Sequence, residues 1–452
     1  AMAKDNDPQQ LAAFLNSHPD IELFEVILPD INGRLRGKWL PRSNIEKAFN
    51  GGLKLPLSTL AFDVWGRDPE AWVFDSGDAD GICEADPRSL APVPWLERPT
   101  GQVLLSLNNV SGEPCAYDPR CILNRLMARC AKLSLKPTLA TEMEFYLFQA
   151  ECDALGMPVH TQTNSKGLPA TGGQTYGIDA MQDMSAFMHG IRDACIAQNL
   201  PIDTLITEAA PSQYEINLYH QSDALLAADQ GLMLQRAIKG VAAQHDLRAS
   251  FMAKPFTDLA GNGMHVHCSM VDQDGNNAFD NGTDAGNELL GHAIAGALAA
   301  MQDSMLLLAP HLNSFRRFLR SNHAPMAPTW GYENRTVAVR VPADSHKAMR
   351  IEHRVAGADA SPHLVIAAIV AGMLYGIENE MTPPEPVVGD AYEQHPPSLP
   401  NNWPDAVERF ARSEFIRDYL GEEFQRIYTL TKQQEIDEFD KHVTPLEYEA
   451  YL

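Results

Sequence analysis

The 452-residue chain has no Cys-x-x-Cys pair, no Gly-x4-Gly-Lys-Ser/Thr loop and no apolar run long enough to span a bilayer. Each absence closes off a class of protein. Seven cysteines, an odd number and scattered, read as reduced thiols rather than a disulfide framework or a zinc site. Without a P-loop or a protein-kinase signature, any phosphate site is not of the common kinds. The longest apolar run, residues 364–377, reads as a buried helix, so no membrane partner is expected. Basic residues are scarce. Against 59 Asp and Glu stand 35 Lys and Arg, a formal net charge of −24, which argues against a nucleic-acid partner. The opening AMAKDNDPQQ is polar and lacks the apolar core of a secretory signal, so a cytoplasmic location is expected.

What is present is ordinary globular composition, 45% hydrophobic and 21% charged, at a length that suits two domains. A short helix (QQLAAFLNSH) precedes an alternating strand (IELFEVILPD). A turn at Asn32-Gly33 then leads to a second strand, a hairpin signal. Short strands with Gly, Pro and Asp punctuation continue to about residue 110, giving a small, mostly β unit. At YDPRCILNRLMARC the period becomes helical, with Asp118 as N-cap and Pro119 at the first helical position. Helices are predicted near 179–199, 223–244, 286–308 and 361–377. Strands are predicted near 138–149, 203–219, 248–255, 264–271 and 336–354. A Pro-rich stretch then precedes a terminal set of short helices.

The chemistry lies in period-two pairs. LATEMEFYLF places Glu142 and Glu144 on one face of a strand otherwise suited to burial. EAAPSQYEINL offers Glu208 and Glu215, GNGMHVHCSM puts His265 and His267 on one face, and MRIEHRV does the same with Glu352 and Arg354. If these strands share a sheet, six ligand candidates converge: Glu142, Glu144, Glu208, Glu215, His265 and Glu352. Five carboxylates cannot stay ionised together without cations, and oxygen-rich ligands with a single imidazole suit magnesium or manganese. Arg316, Arg317, Arg335, Arg340, Arg350 and Arg354 follow in a short window. Metal ions with guanidinium groups imply an anionic substrate and phosphoryl transfer.

These blocks, with FMAKPFTDLAGNG, NSFRRF, ENRTVAVRVP and RVAGADASP, resemble in order the signature blocks of glutamine synthetases, over nearly the whole chain. DINGRLRGKWLP, EINLYH and RVAGADASP are similar to the versions in the γ-glutamylputrescine synthetase, or glutamate–amine ligase, branch. The resemblance implies an α+β fold. An N-terminal β-grasp-like domain would occupy residues 1–112. A catalytic domain at 113–452 would have a curved antiparallel sheet with surrounding helices. It implies that Glu144, Glu208 and Glu215 ligate one ion, and Glu142, His265 and Glu352 the other. Gly261 and Arg317 would hold glutamate. Arg335, Arg340 and Arg354 would serve the phosphoryl group, and His267, Ser269, Lys347 and Arg350 the ATP. Mg2+ or Mn2+, two or more per site, would be the metals. The implied reaction phosphorylates the γ-carboxylate of glutamate, then lets an amine displace phosphate.

Departures from the family's pattern bear on the amine. Where ammonia users place an acidic residue, KLPLSTLAFDVWG has Pro56 or Leu57, with Asp63 in register only across a gap; Asp80 aligns with a second acid. His323 stands where the family's flap glutamate is expected, and is a candidate base. An enlarged, less charged pocket implies a primary amine bigger than ammonia, with Trp65, Tyr176 and Trp330 as candidate walls. The family also implies a homo-oligomer, a dodecamer of two hexameric rings with sites between subunits. Two alternatives stand beside this reading: an ammonia-using glutamine synthetase, and an inactive homologue acting as sensor or scaffold.

Overall fold

A computed structural model describes residues 7–72, 77–161, 173–318 and 324–452. Two sheets organise the chain. The first contains β1 (Leu23–Pro29), β2 (Leu35–Pro41), β3 (Lys54–Pro56), β4 (Asp80–Pro92) and β5 (Thr100–Asn108), in the order β2-β1-β5-β4-β3. β1 and β2 form the expected hairpin, and Gly33 adopts φ +71° in its turn, a conformation that favours glycine. β1 and β5 run parallel, so the sheet is mixed.

The second sheet follows the order β11-β12-β13-β10-β6-β8-β7, with β9 also paired to β6. Its members are β6 (Lys136–Gln149), β7 (Ile202–Thr207), β8 (Gln213–Leu218), β9 (Leu247–Ser250), β10 (Met264–Val271), β11 (Trp330–Tyr332), β12 (Val339–Val341) and β13 (Ile351–His353). It is antiparallel except for β11 and β12, which pair in parallel. The fold is α+β.

Helix α1 (Asp7–Ser17) precedes the first sheet, and α2 (Pro119–Ala131) leads into the second. The Asp118 side chain accepts hydrogen bonds from the N–H groups of Arg120 and Cys121, the capping expected from the sequence. Several predicted elements are divided. The single strand expected over 203–219 is the hairpin β7–β8, because Pro211 offers no N–H and Ser212 takes φ +54°. Glu208 therefore lies on the turn and only Glu215 on a strand. The 336–354 strand is two strands separated by a loop that Pro342 opens. The helix at 179–199 is α3 (Ile178–Asp183) and α4 (Ser185–Ala197), meeting at Met184. The long α5 (Ala224–Gln244) is continuous, but 286–308 divides into α6 (Glu288–Ala299) and α7 (Met305–Leu308).

The apolar run is α8 (Pro362–Glu378), buried along almost its whole length. No described helix is long and apolar enough to cross a membrane. α8 packs on α6 at glycines: a Cβ on Gly376 would lie 1.9 Å from the His292 carbonyl oxygen, and one on Gly296 2.1 Å from that of Gly372. The C-terminal helices are not all short, since α12 (Glu422–Lys441) has 20 residues; it follows α9 (Ala391–Gln394), α10 (Trp403–Arg412) and α11 (Glu414–Leu420).

Candidate active site

Strand register builds the site. His267 on β10 stands opposite Glu352 on β13, which stands opposite Arg340 on β12. Two residues along β10, His265 is opposite Glu142 on β6, itself opposite Asn217 on β8. Two further along β6, Glu144 is opposite Glu215. Side chains two apart share a face, so three successive rows project to one side of the sheet.

Two groups of potential ligand atoms result, each with its atoms within 4.8 Å of one another: Glu142, His265 and Glu352, and Glu144, Glu208 and Glu215. Their electrostatics differ. Burial alone would raise Glu142, but hydrogen bonds from His265 and His267 outweigh it and hold the carboxyl below its usual range. His267 Nε2 is 2.6 Å from Glu142 Oε1, and His265 Nδ1 lies 3.5 Å from Glu142 and 3.6 Å from Glu352. Burial likewise would raise Glu352, and the nearby His265, Arg354 and His267 lower it. In the other group the compensation, from the Gly263 N–H and Arg317 at Glu144, is outweighed. Burial, then the charge of Glu208, pushes Glu144 up to about 8. Burial and the neighbouring glutamates push Glu215 up to about 9, and Glu208 is raised by burial and by Glu142. Three half-buried carboxyls facing one another are the donor set of a hard divalent ion, and the carboxylate–imidazole set beside them also suits magnesium or manganese.

The arginines separate into two kinds. Arg340 donates to Glu352 at 2.9 Å and to Glu333 at 3.2 Å, and Arg354 donates to Glu352 at 3.2 Å. The Nε atoms of both are buried without an acceptor among the described residues. A buried donor left unsatisfied costs about 1–3 kcal/mol, which a ligand oxygen would relieve. Arg335 does not join them. It is exposed on the turn between β11 and β12, beside a separate cavity with Asn334 and Val387. Arg317 is buried next to Glu144, donating to the Val355 carbonyl. Gly261 and Gly263 permit this approach: a Cβ on Gly261 would lie 2.7 Å from Arg317 Cγ, and one on Gly263 2.9 Å from Glu144 Oε1.

Beside the Glu142 group opens a cavity of about 670 Å3, within the size range of small-molecule sites. His267, Ser269, Lys347 and Arg350 all line it, together with Glu142 and Asn217. Arg350 donates from Nε to His267 Nδ1 at 3.0 Å and pairs with Asp344 at 3.1 Å. Sequence reasoning missed Asn217 and Asp344. Asn217 follows Glu215 at the same period-two spacing and was legible; Asp344 sits on a loop without periodicity. Cys268 is buried with its thiol pushed up by burial, as befits an inert residue.

The amine-side candidates fare unevenly. His323 lies outside the described residues. Trp330 is no pocket wall: it is buried, and its indole N–H donates to the Pro384 carbonyl at 2.7 Å. Trp65 is 47% exposed, its ring tilted against that of Phe439 at 5.3 Å between centroids, and Tyr176 is 75% exposed. Asp63 is not an available acid. It is buried and accepts hydrogen bonds from the N–H groups of Trp65 and Arg67 and from the side chains of Arg67 and Gln434. Asp80 is exposed at the start of β4, opposite Pro56.

Known proteins resemble this chain over nearly its whole length. The family profile described as "Glutamine synthetase, catalytic domain" matches residues 116–451. The chain is 36% identical over 449 residues to gamma-glutamylputrescine synthetase PuuA of Escherichia coli (strain K12), covering 98% of this chain and 94% of that protein. It is 32% identical to gamma-glutamylethanolamide synthetase GlnA4 of Streptomyces coelicolor, covering 95% and 92%. It is also 32% identical to a glutamate–isopropylamine ligase of Pseudomonas sp, covering 100% and 99%. Among solved structures, a GmaS/ADP complex superposes with a TM-score of 0.84 at 27% identity, covering 98% of this chain and 99% of that one.

Proposed function

The chain belongs to the glutamine synthetase family, and from that premise we propose that it is an ATP-dependent ligase joining the γ-carboxylate of glutamate to a primary amine larger than ammonia. Support comes first from two ligand groups on one sheet face, with a nucleotide-sized cavity beside them. The relatives named above act, by their names, on putrescine, ethanolamine and isopropylamine rather than ammonia. Occupation of Asp63 by its own loop points the same way, because a compact ammonium ion needs close, free carboxylates.

Divalent ions, magnesium or manganese, held by Glu142, His265 and Glu352 and by Glu144, Glu208 and Glu215, supply positive charge against phosphate and carboxylate oxygens. The chain's own residues do the rest. His267, Ser269, Lys347 and Arg350 bind ATP in the cavity they line. Gly261 and Arg317 hold glutamate, the guanidinium facing a substrate carboxylate. Arg340 and Arg354 turn their orphaned Nε donors to the phosphoryl oxygens as charge builds there. Phosphate is installed first because a carboxylate would otherwise have to expel oxide. The amine nitrogen then attacks the γ-glutamyl phosphate, its proton leaves to a base, for which we name His323, and inorganic phosphate departs. Trp65 and Tyr176 would wall the amine site in a homo-oligomer, as a dodecamer of two hexameric rings with sites between subunits. We place the boundary between the small and catalytic domains near residue 112.

One experiment tests this reading. Phosphate release is measured with glutamate, ATP and magnesium over ammonium, putrescine, longer polyamines, alkylamines and arylamines. Strong release with an amine and little with ammonium is expected. Efficient release with ammonium alone would return the chain to ordinary glutamine synthesis.

A further inference from the structure

A buried charge network lies apart from the two ligand groups. Lys432 and Glu435, on α12, are both 0% exposed. Lys432 Nζ donates to Asn32 Oδ1 at 2.6 Å and to Glu435 Oε1 at 2.9 Å, and it lies 3.4 Å from His311 Nδ1. The other Glu435 oxygen accepts from Asn32 Nδ2 at 3.1 Å and from the Val64 N–H at 2.9 Å. One ion pair thus fastens the β1–β2 turn and the loop before Trp65 to the C-terminal helix. It reaches in the opposite direction as well. The backbone N–H of His311 donates to Ser314 Oγ at 3.0 Å, and Ser314 Oγ donates to Asp359 Oδ2 at 2.5 Å. The Asp359 carboxyl is half-buried; its bond to Ser314 anchors the short turn Asn313–Arg317, which ends on Arg317, and the charges of Arg317 and Lys432 both act on it. Little room is left for it to move: a Cβ on Gly357 would lie 2.4 Å from Asp359 Oδ1, and one on Gly33 3.3 Å from Ser361 Cα.

A buried ion pair is weak support for stability, because desolvation of both charges opposes their attraction. Its value here is geometric. Arg317 stands beside two carboxylates of opposite consequence: Glu144, which belongs to a ligand group, and Asp359, which does not. We propose that Asp359, Ser314 and Lys432 are positioning residues that hold the Arg317 guanidinium for the carboxylate of glutamate and tie it to the Asn32 turn of the small domain. The inference rests on the reading of Arg317 as a glutamate contact. Without the Asp359 charge, Arg317 is drawn towards Glu144 and neutralises a ligand instead of a substrate. The cavity lined by His267 and Arg350 lies elsewhere on the sheet face, so nucleotide binding is left as it was.

The test uses the full-length protein with Asp359→Asn, Ser314→Ala and the paired Lys432→Met/Glu435→Leu variant. The paired variant removes both ions together, so neither is left as an uncompensated buried charge. Amine-dependent phosphate release by the unaltered protein comes first; its failure rejects the functional reading and not the network. Given that activity, glutamate KM is expected to rise about tenfold in Asp359→Asn and about fivefold in Ser314→Ala, with the KM for ATP unchanged. Stabilisation against heat by added glutamate should weaken in parallel, and Lys432→Met/Glu435→Leu should raise glutamate KM with the KM for ATP unchanged, at a lowered melting temperature because Asn32 and the Val64 N–H lose their partners. Unchanged glutamate KM in folded variants would overturn the proposal. So would a uniform loss of every kinetic constant in step with melting temperature, the signature of a merely structural role.

Discussion

Glu144 concentrates the conflict on which the site is built. Its carboxyl is half-buried against Glu208 and Glu215, yet ligand chemistry requires it to be ionised. Glu144→Ala should lower turnover at least about a hundredfold, since an electrostatic group at the reacting centre is lost. The circular dichroism of the folded chain should survive, because a repulsive charge is being removed. Substantial turnover would count against the assigned ligand set. The raised carboxyls also fix a pH dependence. In the metal-free protein Glu144 and Glu215 titrate near 8 and 9, above their ordinary 4.5. Between those limits the folded chain keeps protons that the unfolded chain has released. The contribution of these two carboxyls to stability should therefore fall as pH rises from about 5 to 9, and level off above that; above about pH 7 it is not masked by the buried histidines, which by then are neutral in either state. Magnesium should flatten this slope and release protons as it binds, tighter at higher pH. Melting curves at pH 6, 7.5 and 9 with and without magnesium, and calorimetry in buffers of different ionisation enthalpy, read both effects. A slope of opposite sign would show that the three carboxyls are not held together as described.

At the scale of elements, register places most of the site, and register was legible. Period-two spacing in LATEMEFYLF, MHVHCSM and MRIEHRV puts Glu142, Glu144, His265, His267 and Glu352 on one face, as the strand register does. The loops were not legible in the same way. Glu208 lies on a turn that Pro211 and Ser212 create, and Arg335 falls on a turn that leaves it exposed. The Asn32–Lys432 contact joins residues 400 positions apart, beyond the reach of any local pattern. Helix packing shows the same division. The apolar run at 364–377 announced a buried helix, but its partner became visible only as touching glycines on α6 and α8. Gly376→Ala should destabilise the protein by about 1–3 kcal/mol, because the added methyl meets the His292 carbonyl. Chemical denaturation measures this directly. A neutral result would mean that the two helices can separate without loss.

At the scale of the whole molecule, the small sheet is bound to the large one by buried polar groups as well as by apolar contact. Arg120 pairs with Asp86 of β4 at 2.6 Å and with Asp229 of α5 at 2.8 Å, and His363 of α8 lies 2.7 Å from the same Asp229. The two sheets are thus held to one frame. Trp65 and Tyr176 remain exposed on it, which fits a shared site between copies. Size-exclusion chromatography should show a large oligomer, and dilution to monomers should abolish amine-dependent phosphate release. A fully active monomer would contradict the shared site. The long β6 carries one consequence for the whole enzyme. It supplies Glu142 to one ligand group and Glu144 to the other, and alternate residues along a strand are roughly 6.7 Å apart. The pleat is therefore a ruler: it sets a single alternate-residue step between the backbone anchors of the two ligand groups, and a change in the strand's length on either side cannot alter it.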